Sequence, residues 1–461
     1  MQELGLGRIA GPFESPPFSH FKQTPLAMRE KSTKGKFRLL HNLSYPYNFE
    51  SVNFNIPEAN YKLQYSSINS ALKLIRQMPD CFLAKSDIQD AFRILPLDPD
   101  SYHLVGFKFL GKYFYDKCLP MGASSSCKIF ERFSSSLAYA LSSRYEASNV
   151  IKVLDDFLFL GPTKKECQRH LDSFIHLCNS VNVPLAQHKT VAPCQDLIFL
   201  GFRLNTSTGI ISIPEDKIKD YLLSLESCYE AKFVSLRQLK SLIGKLQFCC
   251  AVVPGGRCFL RRLHDRTVGL RNPNKNIYVT KGMRADLAVW RSFLINFNGI
   301  EIMQELFLEG RRTTHITTDS SKLGYGGTFG TRFIMGKFPL RWQEYDIQAL
   351  EMYPIFAIIG MIGGQLQHHR LVIHCDNEAV VHAINNQTCK QRTVMHMMRP
   401  MVSILLTHRV VWEAVHVPGV SNEICDLLSR GQIPEQLWAR AGLRMREMSI
   451  PTQLRPENLR L

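Results

Sequence analysis

The chain of 461 residues has no Cys-x-x-Cys pair among its 13 cysteines, no internal repeat and no low-complexity tract. An odd cysteine count, with thiols mostly inside apolar runs such as Phe248-Cys249-Cys250-Ala251, argues against a disulfide framework or a zinc site and for reduced, core-packed side chains. Long hydrophobic runs are missing as well. The longest, about Ile355 to Ile362, is far shorter than the ~20 residues needed to cross a bilayer. Met1 to Pro17 has neither the basic start nor the apolar stretch of a secretory signal. The expectation is an intracellular protein, cytoplasmic or nuclear, with no membrane partner. Acids are also in short supply, 40 Asp and Glu against 56 Lys and Arg, giving a formal charge of +16 and a pI near 9.3. That balance points to a polyanion.

The basic excess is clustered. Between Arg257 and Arg291 stand Arg257, Arg261, Arg262, Arg266, Arg271, Lys275, Lys281, Arg284 and Arg291 against only Asp265 and Asp286, a stripe suited to a phosphate backbone. A hydrophobic share of 45% is ordinary for chains that bury real cores, and the length suggests about three domains.

The most informative stretch is Ile151 to Gly161, where Asp155 and Asp156 lie between two short apolar runs, as at the tip of a strand-turn-strand hairpin. Adjacent carboxylates repel, and a hard divalent ion offsets them; the alternative is a solvated turn. Asp87 follows the apolar run Cys81-Phe82-Leu83-Ala84 and is a second source of carboxylate at a strand end. Two oxygen-ligated Mg²⁺ ions, with Mn²⁺ a possible substitute, are the usual equipment for in-line phosphoryl transfer. Upstream, Lys31 to Leu40 places three lysines and an arginine around a Gly turn, and beside a metal pair Lys31 and Arg38 become candidates for gripping a triphosphate.

Other elements read as follows. Ser66 to Pro79 has helical spacing, Tyr102 to Cys118 a hairpin, and Leu119-Pro120-Met121-Gly122 a break before a Ser-rich helix. Thr163 to Val181 is an amphipathic helix, with Lys189 in a turn beyond it. Leu197 to Phe202 reads as one strand interrupted by Gly201, and Ile213 to about Leu263 as a small helical domain. A second α/β unit starts near Thr313 in β-β-β-α-β-α order, with Asp319, Glu351, Asp376 and Asp426 at element ends or starts. Each is a cap or turn residue taken singly; together they are candidates for one ion pair. Gln432 to Leu461 reads as a helix and a frayed basic tail.

In this order the motifs resemble reverse transcriptases with a C-terminal ribonuclease H, most closely those of DIRS-like (tyrosine-recombinase) retrotransposons, over roughly Gly5 to Arg430. The resemblance implies an α+β fold: a right-hand polymerase (fingers, palm, thumb) followed by a connection and an α/β ribonuclease H-like domain. Its implied limits are fingers and palm 1–211, thumb 212–265, connection 266–312, ribonuclease H-like domain 313–432 and tail 433–461. It implies that Lys31 and Arg38 hold the incoming phosphates, that Asp87, Asp155 and Asp156 are catalytic metal ligands, and that Asp90 and Ala91 flank the triphosphate. Phe92 would be the steric gate against a ribose 2′-OH, and Met121-Gly122 would lie under the templating pair, with Met where many relatives carry Gln. Val153 stands where retroviral enzymes have Tyr. Lys189 would protonate the leaving pyrophosphate, and Leu200-Gly201 would grip the primer. Asp319, Glu351, Asp376 and Asp426 match the ribonuclease H metal ligands, and His416 the histidine that helps release product. Cys425 takes a place more often held by Ala. Arg257, Arg261, Arg262 and Arg266 would hold the duplex.

The implied function is RNA-directed DNA polymerase with ribonuclease H, acting with RNA template, DNA primer, RNA/DNA hybrid and deoxynucleoside triphosphates. Two rivals remain: a co-opted or decayed element that binds nucleic acid without catalysis, and an enzyme retaining ribonuclease H alone. The sequence leaves the oligomeric state open and shows no protease, integrase, recombinase or methyltransferase segment.

Overall fold

Apolar runs that are buried on both faces make the central strands of the first unit. In the computed structural model, which describes residues 2–30, 35, 37–253, 255–296, 300–301, 312–440, 442 and 444–459, the chain divides into Met1–Ile210 and Ile211–Leu461. The five stretches expected from the sequence are thus grouped as two compact units, with everything after Ile210 in one.

In the first unit, strands β1 (Ile9–Phe13), β2 (Leu26–Glu30) and β3 (Phe37–His41) precede helix α1 (Ile68–Gln77) and strand β4 (Phe82–Asp87). The hairpin β5 (Gly106–Phe109) and β6 (Lys112–Asp116) leads to helix α2 (Ser126–Tyr145). Then come β7 (Val150–Val153), β8 (Asp156–Gly161), helix α3 (Lys164–Ser180), β9 (Val191–Cys194), β10 (Asp196–Phe199) and β11 (Phe202–Asn205). The main sheet runs β7-β8-β4-β9, while β2 and β3 pair as the basic hairpin and β1-β6-β5 form a small third sheet. Helix α3 starts at Thr163, whose hydroxyl accepts the Glu166 N–H, and its Cys167, Leu171, Phe174 and Cys178 lie on one face. Phe174 packs 4.5 Å from Phe157 and 5.2 Å from Phe159, ring to ring. Each such buried ring contributes about 1.5–3 kcal/mol, which fixes β8 and its neighbour β4 as a rigid floor.

The second unit opens with helix α4 (Glu215–Glu230), strand β12 (Phe233–Ser235), helix α5 (Leu236–Cys249), strand β13 (Asn276–Tyr278) and helix α6 (Lys281–Asn296). Ser235 and Gln238 cap α5 reciprocally. Strands β14 (Thr313–Ser320), β15 (Gly324–Phe329) and β16 (Arg332–Lys337) follow, then helix α7 (Ile347–Ile362), strand β17 (Arg370–Cys375), helices α8 (Glu378–Asn386) and α9 (Arg392–Thr407), strand β18 (Val411–His416), helix α10 (Glu423–Ser429) and strand β19 (Arg446–Glu447). The sheet order is β18-β17-β14-β15-β16-β19, with β14, β17 and β18 mutually parallel.

One helix goes beyond the sequence reading, and one expectation needs correction. The helical segment Ile347–Leu366 is, at 20 residues, long and apolar enough to cross a membrane by length and composition, whereas the uninterrupted apolar run alone is not. Its apolarity has a local cause: α7 is buried almost throughout, packed against β14 and β15 and against α9. The tail is not frayed over its described residues, because β19 joins the sheet beside β16, and the carbonyls of Leu454 and Pro456 accept Tyr353 Oη at 3.1 Å and Trp342 Nε1 at 2.9 Å.

Candidate active sites

Strand register brings the first three acids together. Asp87 ends β4 and pairs directly with Asp156, the first residue of β8. Val153 pairs with Asp156 across the β7–β8 hairpin, so Leu154 and Asp155 are its two turn residues. Ile88 donates its N–H to the Asp155 carbonyl at 3.0 Å, which draws the tip against the end of β4. Leu154 has φ of 53°, a region that costs an L-residue about 1–2 kcal/mol and that hairpin turns usually fill with Gly.

Burial pushes the Asp156 carboxyl up to about 7, with Asp155 and Asp87 adding to the rise. Asp155 is raised by burial and then by Asp87. Lys189 Nζ donates to Asp87 Oδ2 at 2.8 Å; burial lowers the lysine's pKa, but Asp87, Asp155 and Asp156 together raise it above the ordinary value. Among the described residues, three half-buried or buried acids face the Lys189 ammonium and the Arg38 guanidinium, an excess of acid that favours a divalent cation.

Asp87 and Asp155 open on a cavity of about 1460 Å³, whose walls include Arg38, Asp90, Ala91, Phe92, Met121, Gly122, His188 and Lys189. Every residue assigned to the nucleotide from the sequence lies there except Lys31, which falls outside the described residues. Phe92 lines the cavity while its ring sits edge-on to Phe130 at 5.5 Å, so one side chain serves both the cavity wall and the core. The Asp90 carboxylate is held by Arg8 Nη1 at 3.0 Å. Gly122 has φ of 148°, and a Cβ there would lie 1.8 Å from the His41 carbonyl oxygen; only glycine lets this loop close on β3.

Leu200 and Gly201 are not in one strand. Both have positive φ, 47° and 84°, and form the two-residue turn between β10 and β11, which pair from Asp196 with Asn205 to Phe199 with Phe202. Lys85 Nζ ties this hairpin to β4 through the Ile198 carbonyl at 2.7 Å, one residue pair from the end next to the turn.

The second unit gathers the other four acids. Asp319 is in β14, Glu351 in α7, Asp376 directly follows β17, and Asp426 is in α10. Glu351, Asp376 and the thiol of Cys375 bring ligand atoms within 4.8 Å of one another. Glu351 is 4% exposed, and its Oε2 is buried without a hydrogen-bond partner. Burial, then Asp319 and Asp376, push its carboxyl up to about 9; burial, with Asp376 and Asp426, lifts Asp319 to about 6. An orphaned buried carboxylate oxygen with Asp319 and Asp376 close by fits a cation. Asp426 accepts Arg430 Nη2 at 2.8 Å, and His416 Nε2 lies 3.1 Å from the Asp376 carbonyl oxygen on an exposed ring. Cys425 is buried with its Sγ 3.2 Å from the Thr317 carbonyl, as a small core residue. Gly326 lets α10 meet β15: a Cβ there would sit 2.4 Å from Leu428 Cβ.

The basic stripe is only partly available to a ligand. Arg262 Nη1 donates to Asp286 Oδ1 at 2.6 Å, and Arg399 reaches the same oxygen at 3.5 Å. Asp286 is 1% exposed, so Arg262 neutralises a buried acid, while its own side chain stays 38% exposed. Arg261 pairs with Asp265 at 2.7 Å, Arg284 donates to the carbonyls of Tyr229, Val279 and Ala231, and Arg291 pairs with Glu226. Arg257, Arg266, Arg271, Lys275 and Lys281 are exposed.

Residues 32–204 match the family described as reverse transcriptase (RNA-dependent DNA polymerase). The chain carries a reverse transcriptase domain. Over 387 residues the protein is 19% identical to the putative enzymatic polyprotein of Cassava vein mosaic virus, a match covering 80% of this chain and 55% of that one. Over 319 residues it is 23% identical to the Gag-Pro-Pol polyprotein of Human T-cell leukemia virus 3 (strain Pyl43), covering 65% of this chain and 20% of the relative. The chain therefore spans about half of the first relative and a fifth of the second. Among solved structures it is similar to the foamy viral protease-reverse transcriptase dRH in complex with double-stranded DNA, with TM-score 0.54, 15% identity and coverage of 90% of this chain and 68% of that one. The same viral protein in complex with an RNA/DNA hybrid gives 0.51, 14%, 90% and 52%. The fold is the right-hand polymerase expected from the sequence, and Asp87, Asp155 and Asp156 lie at one end of the β7-β8-β4-β9 sheet, within the matched residues.

Residues that sequence reasoning did not single out are Arg8, Glu131, Lys152 and His188. Glu131 had a signal: it is the one acid in α2, set between Phe130 and Phe133.

Proposed function

We propose that the protein is the RNA-directed DNA polymerase of a DIRS-like retrotransposon, with ribonuclease H activity in its second unit. The observation that carries the reading is the register pairing of Asp87 with Asp156 beside the Asp155 turn, at the edge of a cavity large enough for a nucleotide. The subfamily rests on the resemblance of the ordered motifs over roughly Gly5 to Arg430.

Asp87 and Asp155 would hold a pair of Mg²⁺ ions, or Mn²⁺, with Asp156 as the third acid. When bound, such ions make the primer 3′-hydroxyl acidic and neutralise charge on the leaving pyrophosphate. Arg38, and Lys31 by resemblance, orient the triphosphate. Lys189, kept charged by the neighbouring acids, offers a proton to the pyrophosphate. Phe92 excludes a 2′-OH from the sugar position. In the second unit Asp319, Glu351, Asp376 and Asp426 hold the cations for water attack on RNA, and His416 assists product release. RNA template, DNA primer, hybrid and deoxynucleoside triphosphates are the partners.

Extension of a labelled DNA primer on an RNA template tests the first activity. Wild type should extend it with Mg²⁺, and Asp155→Asn should lose more than about 100-fold in rate, the scale expected when charge stabilisation at the reacting phosphate is removed. Equal extension by both proteins would refute the reading. Cleavage of labelled RNA in a hybrid, abolished by Asp376→Asn, tests the second activity separately.

A further inference from the structure

We infer that Glu131 and Lys152 form a buried brace that sets the position of the Asp155–Asp156 turn, and so govern cation binding there without touching the cations. The inference rests on the polymerase reading of that site.

Glu131 lies on α2, 8% exposed, and its two carboxylate oxygens serve different groups. Oε2 accepts the N–H of Leu154 at 3.0 Å, and Oε1 accepts Lys152 Nζ at 2.5 Å. Lys152 also donates to the Glu131 carbonyl at 3.0 Å and to Ser134 Oγ at 3.1 Å, so its ammonium has three acceptors, all on α2. A charged pair inside a protein is held in place by such full satisfaction, and loss of either member leaves the other without its counter-charge. The bond to Leu154 matters because this residue holds the strained positive φ that aims Asp155. Helix α2 and strand β7 are thus joined at the peptide next to the acid pair. A lysine in an apolar strand and an acid in the middle of a helix are costly there unless they serve each other.

Glu131→Gln can present its carbonyl to Leu154 or to Lys152 but not to both; its amide then faces a donor. The expected result is a rise of about 10-fold or more in the Mg²⁺ concentration giving half-maximal primer extension, with hybrid affinity unchanged, since a displacement near 1 Å has effects of this size. Mn²⁺ binding read by electron paramagnetic resonance should weaken in parallel. The double variant Glu131→Gln with Lys152→Met removes the clashing donor and should recover most of the metal affinity. Should Glu131→Gln not fold, Lys152→Met alone is held to the same outcome against wild type. Wild-type metal dependence in these single variants, or hybrid affinity lost as far as metal affinity, would overturn the inference. If wild type itself fails to extend a primer, the polymerase reading falls, while the Mn²⁺ measurement still decides the brace.

Discussion

At the scale of single residues, the two acid clusters are held in an environment that resists their charge. For Glu351 the folded protein keeps the proton up to about pH 9, whereas an unfolded glutamate gives it up near the ordinary value of about 4.3. The folded state therefore binds more protons between these limits, and the metal-free protein loses stability as pH rises through them. Glu351→Gln is expected to raise the metal-free Tm at pH 8 by about 2–4 °C, the shift that ~1 kcal/mol gives in a unit of this size. Mn²⁺ should raise the Tm of wild type, more at pH 8 than at pH 6, and that of the variant less. Calorimetry across pH with and without metal checks this; a lower Tm in the metal-free variant would contradict it. Phe92 carries another expectation. Its ring lies on Phe130 as well as on the cavity, so Phe92→Val should admit ribonucleotides and also cost about 1–3 kcal/mol of packing. Incorporation of a ribonucleotide against its deoxy counterpart measures the first effect, and unchanged sugar selectivity would remove Phe92 from the gate.

Elements place these residues, and here sequence and structure part in instructive ways. The hairpin carrying Asp155 and the strand ending at Asp87 were legible because both signals are local: apolar runs with acids at their ends. Their convergence was not, since it depends on β8 lying beside β4 in the register that pairs Asp87 with Asp156. The Glu131 brace needs the packing of α2 on β7, which brings together residues 21 and 23 apart along the chain. Leu197 to Phe202 looked like one strand because a single Gly among apolar residues fits a bulge as well as a turn; two successive positive φ values make it a turn. The tail looked frayed because its binding groups are carbonyls, which the sequence does not distinguish. Among these elements the Met121–Gly122 loop offers a direct test. Gly122→Ala adds a Cβ that meets the His41 carbonyl at 1.8 Å in a backbone region unsuited to alanine. A loss of about 1–3 kcal/mol in stability is expected, with a raised KM for nucleotide; wild-type values of both would show that the loop is not so confined.

For the whole molecule, charge divides into what binds a polyanion and what holds the fold. The net +16 was visible in composition, but only the structure separates Arg257 and Arg266, which are exposed, from Arg262, which neutralises buried Asp286. Hybrid affinity should fall steeply with salt, and the double variant Arg257→Ala, Arg266→Ala should reduce the slope of log K against log salt by about 2. Arg262→Ala should leave that slope unchanged and lower the Tm instead. The reverse pattern would return Arg262 to the ligand surface. The same separation applies to the α/β region, where a helix apolar enough for a membrane is the core of the second unit.

The most direct measurement is diffraction from crystals grown with a primer–template, a non-hydrolysable deoxynucleotide and Mn²⁺, recorded for anomalous scattering. Two peaks about 3.5–4 Å apart are expected between Asp87 and Asp155, the spacing of two-metal sites. Anomalous density elsewhere, with these carboxylates bare beside a bound nucleotide, would contradict a palm built to share cations.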